Sequence, residues 1–402
     1  MAKKKTKKQA EKQVRKAAKK HPVLVTIAIL LIVAIAGCCI LHRKGVIHVP
    51  FLDKLIPQET NENTDVDATG GEFTSEDIET IKNDELQIHF LELGNANAGD
   101  CTLIKTGNTE VLIDAGSIQS SAATIVPYIQ QYCTDGILEY VIATHAHQDH
   151  IAAFVGTTSA KGVFESFECQ TIIDFPLTNS NTKIYANYVE LRDAEIEAGA
   201  KHYTALECWN NTNGATRSIE LAEGITMNIL YQRFYEEKTS DENDYSVCML
   251  LTQGNNNNYL FTGDLEEKGE DSLVKKNDLP KCKLFKGGHH GSPTSSTTTL
   301  LEKIQPEIVC VCCCAGTDEY SDIPANQFPS QAFVDRVSVY TKKVYVTTMV
   351  SENGKGFESM NGNIVVSSDG VEVTVHCSNN NTLLKDTDWF KNNRTCPSAW
   401  SD

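Results

Sequence analysis

Seven consecutive residues, Thr144-His145-Ala146-His147-Gln148-Asp149-His150, carry three imidazoles and a carboxylate. The chain has eleven histidines in 402 residues, so three of them within six positions, beside an Asp, point to a metal site rather than to a polar surface. Histidine is the commonest ligand for zinc-like metals, and Asp adds a hard oxygen. His145 and His147 alternate about Ala146, so an extended backbone directs both to one side. Asp149 and His150 follow a turn and can face a second ion beside the first. Much further along, Asp264 follows the apolar run Tyr259-Leu260-Phe261-Thr262-Gly263 and can bridge both ions. His289 and His290 sit in a glycine-rich loop, Gly287-Gly288-His289-His290-Gly291-Ser292. Two adjacent ions acidify a shared water and clamp substrate oxygens, so the chemistry indicated is hydrolysis. Asp114, after Leu112-Ile113, is read as orienting a ligand or the active-site loop.

Such side chains need rigid elements behind them. Leu138 to Ala143 is a β-type run, and Ile151 to Gly156 can start a helix, so the first cluster occupies a loop at a strand end. Strands are expected from Leu86 to Asp114, with a hairpin at Thr106-Gly107-Asn108, and at Thr171 to Pro176. Further strands are expected within Ser218 to Leu230, Ser246 to Gln253, Asn258 to Thr262, Val344 to Thr348, Asn363 to Ser367 and Val371 to Val375. Helices are expected at Ala122 to Cys133, Lys183 to Gly199 and Gln331 to Thr341. Alternating strands and helices imply an α/β fold with two sheets packed inside and helices outside. Among fourteen cysteines, the run Cys310-Val311-Cys312-Cys313-Cys314 reads as a buried strand. Adjacent strand residues face opposite ways, which argues against a thiolate metal site there. A Cys377–Cys396 pair would tie down the C-terminal tail, but pairing cannot be read from spacing.

The first cluster resembles the His-x-His-x-Asp-His signature of the metallo-β-lactamase fold. Leu86 to Gly94, Ala98-Gly99-Asp100-Cys101 and Val111 to Gly116 resemble that family's opening strands, and Tyr259 to Asp264 resembles the strand bearing the bridging Asp. Asn243 to Ser246 and Lys286 to Ser292 are similar to one branch, the hydrolase domain of ComEC-type DNA-uptake proteins and their stand-alone relatives. The resemblance spans roughly Leu86 to Cys377 and implies an αββα sandwich with two divalent ions, zinc or manganese. It implies His145 and His147 on the first ion, Asp149, His150 and His290 on the second, and Asp264 between them. His290 is assigned because it immediately precedes Gly291. His289 then faces the substrate as a hydrogen-bond donor or general acid, and Asp149 and His289 are the candidate catalytic residues. Two features depart from the family. No further His stands near Tyr231-Gln232, since His202, read as a surface residue, is the sole one between His150 and His289. After the cysteine-rich strand, relatives often carry a His near a Tyr-Gly where this chain has Glu319-Tyr320-Ser321-Asp322.

The net charge of −17 is unevenly spread. Residues 1–22 hold ten Lys or Arg against Glu11, a surplus of nine that leaves the remainder at −26. Residues 23–41 carry no charge and are long enough, as a helix at ~1.5 Å per residue, to cross a hydrocarbon core of ~30 Å. The expected order is a basic cytoplasmic segment (1–22), a transmembrane anchor (23–41), a juxtamembrane segment with an acidic linker (42–84), the hydrolase domain (85–378) and a polar, peripheral tail (379–402) whose Trp389 and Trp400 could pack back on the body. The positive-inside rule then puts the catalytic domain outside the cytoplasm, on a single-pass membrane protein. A cleaved signal peptide, and a lipid anchor on Cys38, are the alternatives.

The ComEC resemblance implies cleavage of a phosphoric ester: nucleic acid, or a cell-wall or lipid phosphodiester. A related branch acts on phosphorylcholine esters at the cell surface. The acidic balance opposes a long polyanion, and no basic stripe is evident. Lys281, Lys283 and Lys286 could attract a phosphate or form the solvated face of an edge strand. Two other classes remain open: a β-lactamase or lactonase, disfavoured by the missing His, and a non-catalytic surface-binding module on the same fold.

Overall fold

The computed structural model describes residues 72–352, 354 and 356–401. The basic segment, the apolar run 23–41 and the linker up to Gly71 lie outside the described residues. Among the described residues, no helix is long and apolar enough to cross a membrane.

Two eight-stranded sheets form the body. The first contains β1 (Leu86–Phe90), β2 (Thr102–Thr106), β3 (Thr109–Ile113), β4 (Ile137–Ile142), β5 (Glu168–Asp174) and β6 (Lys201–Thr204). The second contains β7 (Ser218–Ala222), β8 (Ile225–Leu230), β9 (Cys248–Gln253), β10 (Asn257–Phe261), β11 (Leu284–Lys286), β12 (Ile308–Ala315), β13 (Val344–Val350) and β14 (Phe357–Ser359). The chain then returns to the first sheet, where β15 (Ile364–Ser368) pairs with β1 and β16 (Val373–Cys377) forms the edge. Strands β3 to β6 are mutually parallel, as are β10 to β13. Loops leaving the C-terminal ends of these strands can therefore converge at one end of the sandwich.

The cysteine-rich strand shows how the layers form. Ile308, Cys310 and Cys312 of β12 pack with Ile88, Leu103, Met249 and Phe261 of both sheets. Val309, Val311, Cys313 and Ala315 face the other way, onto helices Thr298–Ile304 and Gln331–Val337 through Leu300, Leu301, Phe333 and Val334. A strand covered on both faces reads as an unbroken apolar run. Parity splits its thiols between two layers, as strand geometry requires. All twelve described cysteines are free thiols, and Cys377 and Cys396 are not paired.

Several boundaries differ from expectation. The helix from Ala122 ends at Ile129, and that from Gln331 ends at Val337. A helix at Ser75–Asn83, closed by a Thr74/Asp77 capping box, was not expected; its Asp77 Oδ1 lies 2.8 Å from His376 Nδ1 of β16. The last stretch is not peripheral. Leu384, Phe390 and Trp400 enter the second core, and Trp400 Nε1 donates to Thr341 O at 2.8 Å. Trp400 packs back on the body as its type suggested, whereas Leu384 and Phe390 were not anticipated in so polar a stretch.

Candidate metal centre

The expected site residues come from three loops, each leaving the end of a strand. After β4 the chain bends at Ala146 and passes through an extended His147 at the N-cap of the helix Gln148–Val155, so Asp149 and His150 fall in the helix's first turn. Gly116 makes this approach possible: a Cβ there would stand 1.5 Å from Asp149 O. Asp264 follows β10 through Thr262 and Gly263. His289 and His290 follow β11 in left-handed backbone, φ 45° and 54°. Non-glycine residues in that region cost about 1–2 kcal/mol each, strain of the kind that concentrates at functional sites.

The loops meet tightly. His145 Nε2 and His147 Nδ1 face each other at 3.0 Å. Asp264 Oδ2 lies 3.0 Å from His150 Nε2, 3.2 Å from His290 Nε2 and 3.9 Å from His289 Nε2. Asp149 Oδ2 lies 3.4 Å from His290 Nε2. All seven expected residues are thus gathered at one end of the sandwich. Asp264 Oδ1 is buried without a hydrogen-bond partner. His290 Nε2 is likewise buried without a hydrogen-bond partner, and such polar atoms are costly unless a cation joins them, so the donor set fits a metal ion. One oxygen or nitrogen each from Asp100, His150, Asp264 and His290 lies within 4.8 Å of the others.

Behind this first layer the ligand orientations are set. Asp114 takes the Thr144 N–H and hydroxyl at 2.7 and 2.8 Å, and its Oδ2 lies 2.8 Å from His150 Nδ1, leaving His150 Nε2 facing Asp264. Asp114 therefore orients both a candidate ligand and its loop, as expected. Ser246 Oγ accepts from the Asp264 N–H at 3.0 Å. Gln232, near where relatives place a further His, is fully buried and donates to Asp244 O and Ser246 O, bracing that loop. Glu266 Oε1 lies 3.3 Å from His289 Nδ1.

Charge in the cluster is coupled. Burial opposes the charged form of His150, but Asp264 and Asp114 outweigh it and hold the imidazole well above its ordinary range. His290 is raised likewise by Asp264 and Asp100. His145 is held well below, by burial and by the neighbouring His150. Burial also works against the Asp264 carboxylate, yet His150 and His290 keep it well below its usual range.

Three features escaped the sequence reading. Lys286 is neither a phosphate-attracting surface lysine nor on an edge strand: β11 is internal, and Lys286 is buried in an ion pair with Asp100 beneath the cluster. Lys283 pairs with Glu307 at 2.6 Å. His202 is not a free surface residue; half-buried on β6, it lies 2.9 Å from Asp174 Oδ1, beside Arg192. Tyr320, in the loop that departs from the family pattern, donates its hydroxyl to Asp149 Oδ2 at 2.8 Å. Beside Glu266, a polar cavity of about 520 Å³ is lined by Thr239, Asp241, Asp244, Glu266, Thr294 and Arg336, among others.

The profile of the metallo-beta-lactamase superfamily matches residues 94–163, which contain the whole first histidine cluster. This chain has the metallo-β-lactamase fold. Among curated proteins, it is 26% identical over 280 residues to competence protein ComA of Neisseria gonorrhoeae, covering 69% of this chain and 33% of that protein. It is 26% identical over 230 residues to recombination protein 2 of Haemophilus influenzae, covering 56% and 24%. The chain therefore spans about a third of the first and a quarter of the second, and it is ComEC-like within that span. Among solved structures, the metallo-beta-lactamase fold protein YhfI from Bacillus subtilis aligns with a TM-score of 0.37 at 13% identity, over 65% of this chain and 95% of that one. A putative metallo-beta-lactamase from Thermotoga maritima aligns at 0.28 and 14%, over 45% and 79%. Within this fold the chain holds a buried His/Asp cluster suited to a divalent metal.

Proposed function

We propose that this chain is a membrane-anchored, metal-dependent hydrolase of phosphoric esters, with its catalytic domain outside the cytoplasm. The observation that carries the catalytic reading is the convergence of His145, His147, Asp149, His150, His289 and His290 on the buried Asp264 carboxylate, whose Oδ2 faces three imidazoles and whose Oδ1 has no hydrogen-bond partner. In this reading, His145, His147 and Asp264 hold one divalent ion, and Asp149, His150, His290 and Asp264 hold a second. Asp100 stays outside both sets, because Lys286 already neutralises it. A pair of such ions, zinc or manganese, would supply an acidified water and offset charge on the substrate oxygens. His289 supplies a donor. Glu266 steadies its Nδ1 side, and its Nε2 turns towards the cluster, where a leaving oxygen needs a proton.

The substrate class rests on the ComEC likeness and on charge. ComA is a competence protein by name, which keeps nucleic acid in view. The excess of acid outside residues 1–22, and the acids of the cavity beside Glu266, favour a compact ester of the wall or membrane over a long polyanion. The anchor rests on the uncharged run 23–41 after a basic segment.

Elemental analysis of the full-length protein, with turnover of bis(p-nitrophenyl) phosphate under zinc and under manganese, tests the reading. About two ions per chain are expected, with turnover lost in Asp149→Ala/His150→Ala. Metal uptake with nitrocefin or a lactone cleaved in place of the diester would move the reading to another hydrolase class. No metal and no turnover would remove it.

A further inference from the structure

The loop between β12 and the helix Gln331–Val337 crosses the mouth of the centre. Its base is fixed. Glu319 Oε2 accepts the Ala98 N–H at 2.8 Å, which ties the loop to the segment carrying Asp100. Gly316 N–H donates to Phe328 O at 2.8 Å, closing the loop on itself. Phe328 is buried and its ring lies against both His289 and His290, at 5.7 and 5.9 Å between centroids. Tyr320 stacks on the same ring, at 5.5 Å and 27°. One aromatic platform therefore supports His289 on the Asp264 side and Tyr320 on the Asp149 side.

Tyr320 is 52% exposed, so its hydroxyl could have been left to water. It points inward and donates to Asp149 Oδ2. A ring with two torsions, stacked on one face, holds that donor at little entropic cost. An oxygen of a substrate that settles next to Asp149 Oδ2 lies within reach of the same hydroxyl, whose single hydrogen turns from Asp149 to the substrate by rotation about the C–O bond, without movement of the ring.

We propose that Tyr320 is a substrate-binding residue of this centre, its hydroxyl donating a hydrogen bond to an oxygen of the phosphoryl group held beside Asp149. The assignment rests on the phosphoric-ester reading above. It explains why an exposed tyrosine is tethered inward when Ile323, on the same loop, is left to solvent.

The test is Tyr320→Phe in the full-length, metal-loaded protein, which keeps the stacked ring and removes only the hydroxyl. Three quantities are compared with wild type: bound metal, affinity for inorganic phosphate by calorimetry, and kcat/KM on bis(p-nitrophenyl) phosphate. Unchanged metal content, phosphate binding weaker by about tenfold and a similar fall in kcat/KM are expected, the size of one hydrogen bond to a charged group. Unchanged phosphate affinity and turnover overturn the assignment. So does a loss of metal with normal phosphate affinity in the sites still loaded, since Tyr320 would then merely position Asp149. A wild-type protein that takes up metal yet neither binds phosphate nor cleaves the diester overturns the phosphoric-ester reading itself, and Tyr320 with it.

Discussion

The buried carboxylates of this protein act according to their partners. Asp114 has its charge raised in cost by burial, yet it directs Thr144 and His150 together. Asp114→Asn presents an amide donor where His150 needs an acceptor. Metal affinity should fall by about 10- to 100-fold, the usual effect of removing a group that orients a ligand; chelator competition at equal protein concentration measures it, and wild-type affinity would refute the role. Glu270 is a different case. It is fully buried and accepts from Ser296 N–H, Thr297 N–H and the Thr297 hydroxyl, but burial outweighs these bonds and lifts its carboxyl from 4.5 to about 7. A raised carboxyl binds its proton more tightly when folded. Its contribution is full below about pH 4.5 and is lost as pH rises to about 7, a span worth roughly 3 kcal/mol at most. In Glu270→Gln that slope should vanish. Thermal unfolding at pH 5, 6.5 and 8 should show the wild type losing ground to the variant as pH rises, and parallel curves would contradict it.

Among the elements, the junction between the loop after β3 and the start of the helix Gln148–Val155 is the tightest fit. Asp100 N–H donates to Asp149 O, Ala115 N–H donates to His150 O, and Gly116 leaves no room for a side chain. Gly116→Ala must therefore push the first turn of that helix away, carrying Asp149 and His150 with it. We expect a folded protein by circular dichroism that has lost the ion held through those two residues. Retention of about two ions per chain would show that the turn can yield without cost.

At the scale of the molecule, residues 384–401 cover the second core, and Arg394 donates to Gln327 O and Pro329 O of the loop after β12. Trp400 is buried, packs 5.5 Å from Phe390 and bonds to Thr341 O. Trp400→Ala should cost about 3–5 kcal/mol, as buried aromatic truncations do. Urea unfolding would report it, and an unchanged midpoint would mean that the stretch is only laid on the surface. The helices beneath it, through Phe333 and Val337, also back β12 and β13, so the loss should be felt as stability before it is felt at the metal centre.

Much of the centre was legible because its chemistry is local. Three histidines and an Asp within one strand-to-helix loop, and Asp264 at the end of an apolar run, declare themselves through short-range backbone geometry alone. The alternation of β12 likewise settled, before any packing was known, that its thiols could not all share one face. Partners across the fold were not legible. Lys286 against Asp100, His202 against Asp174 and Tyr320 against Asp149 join residues 186, 28 and 171 positions apart. Nothing in a local pattern distinguishes a lysine paired beneath the site from one in solvent, or a tyrosine on a surface loop from one bent inward. Those choices were made by the layering of two sheets and by the cost of leaving a buried charge without its opposite.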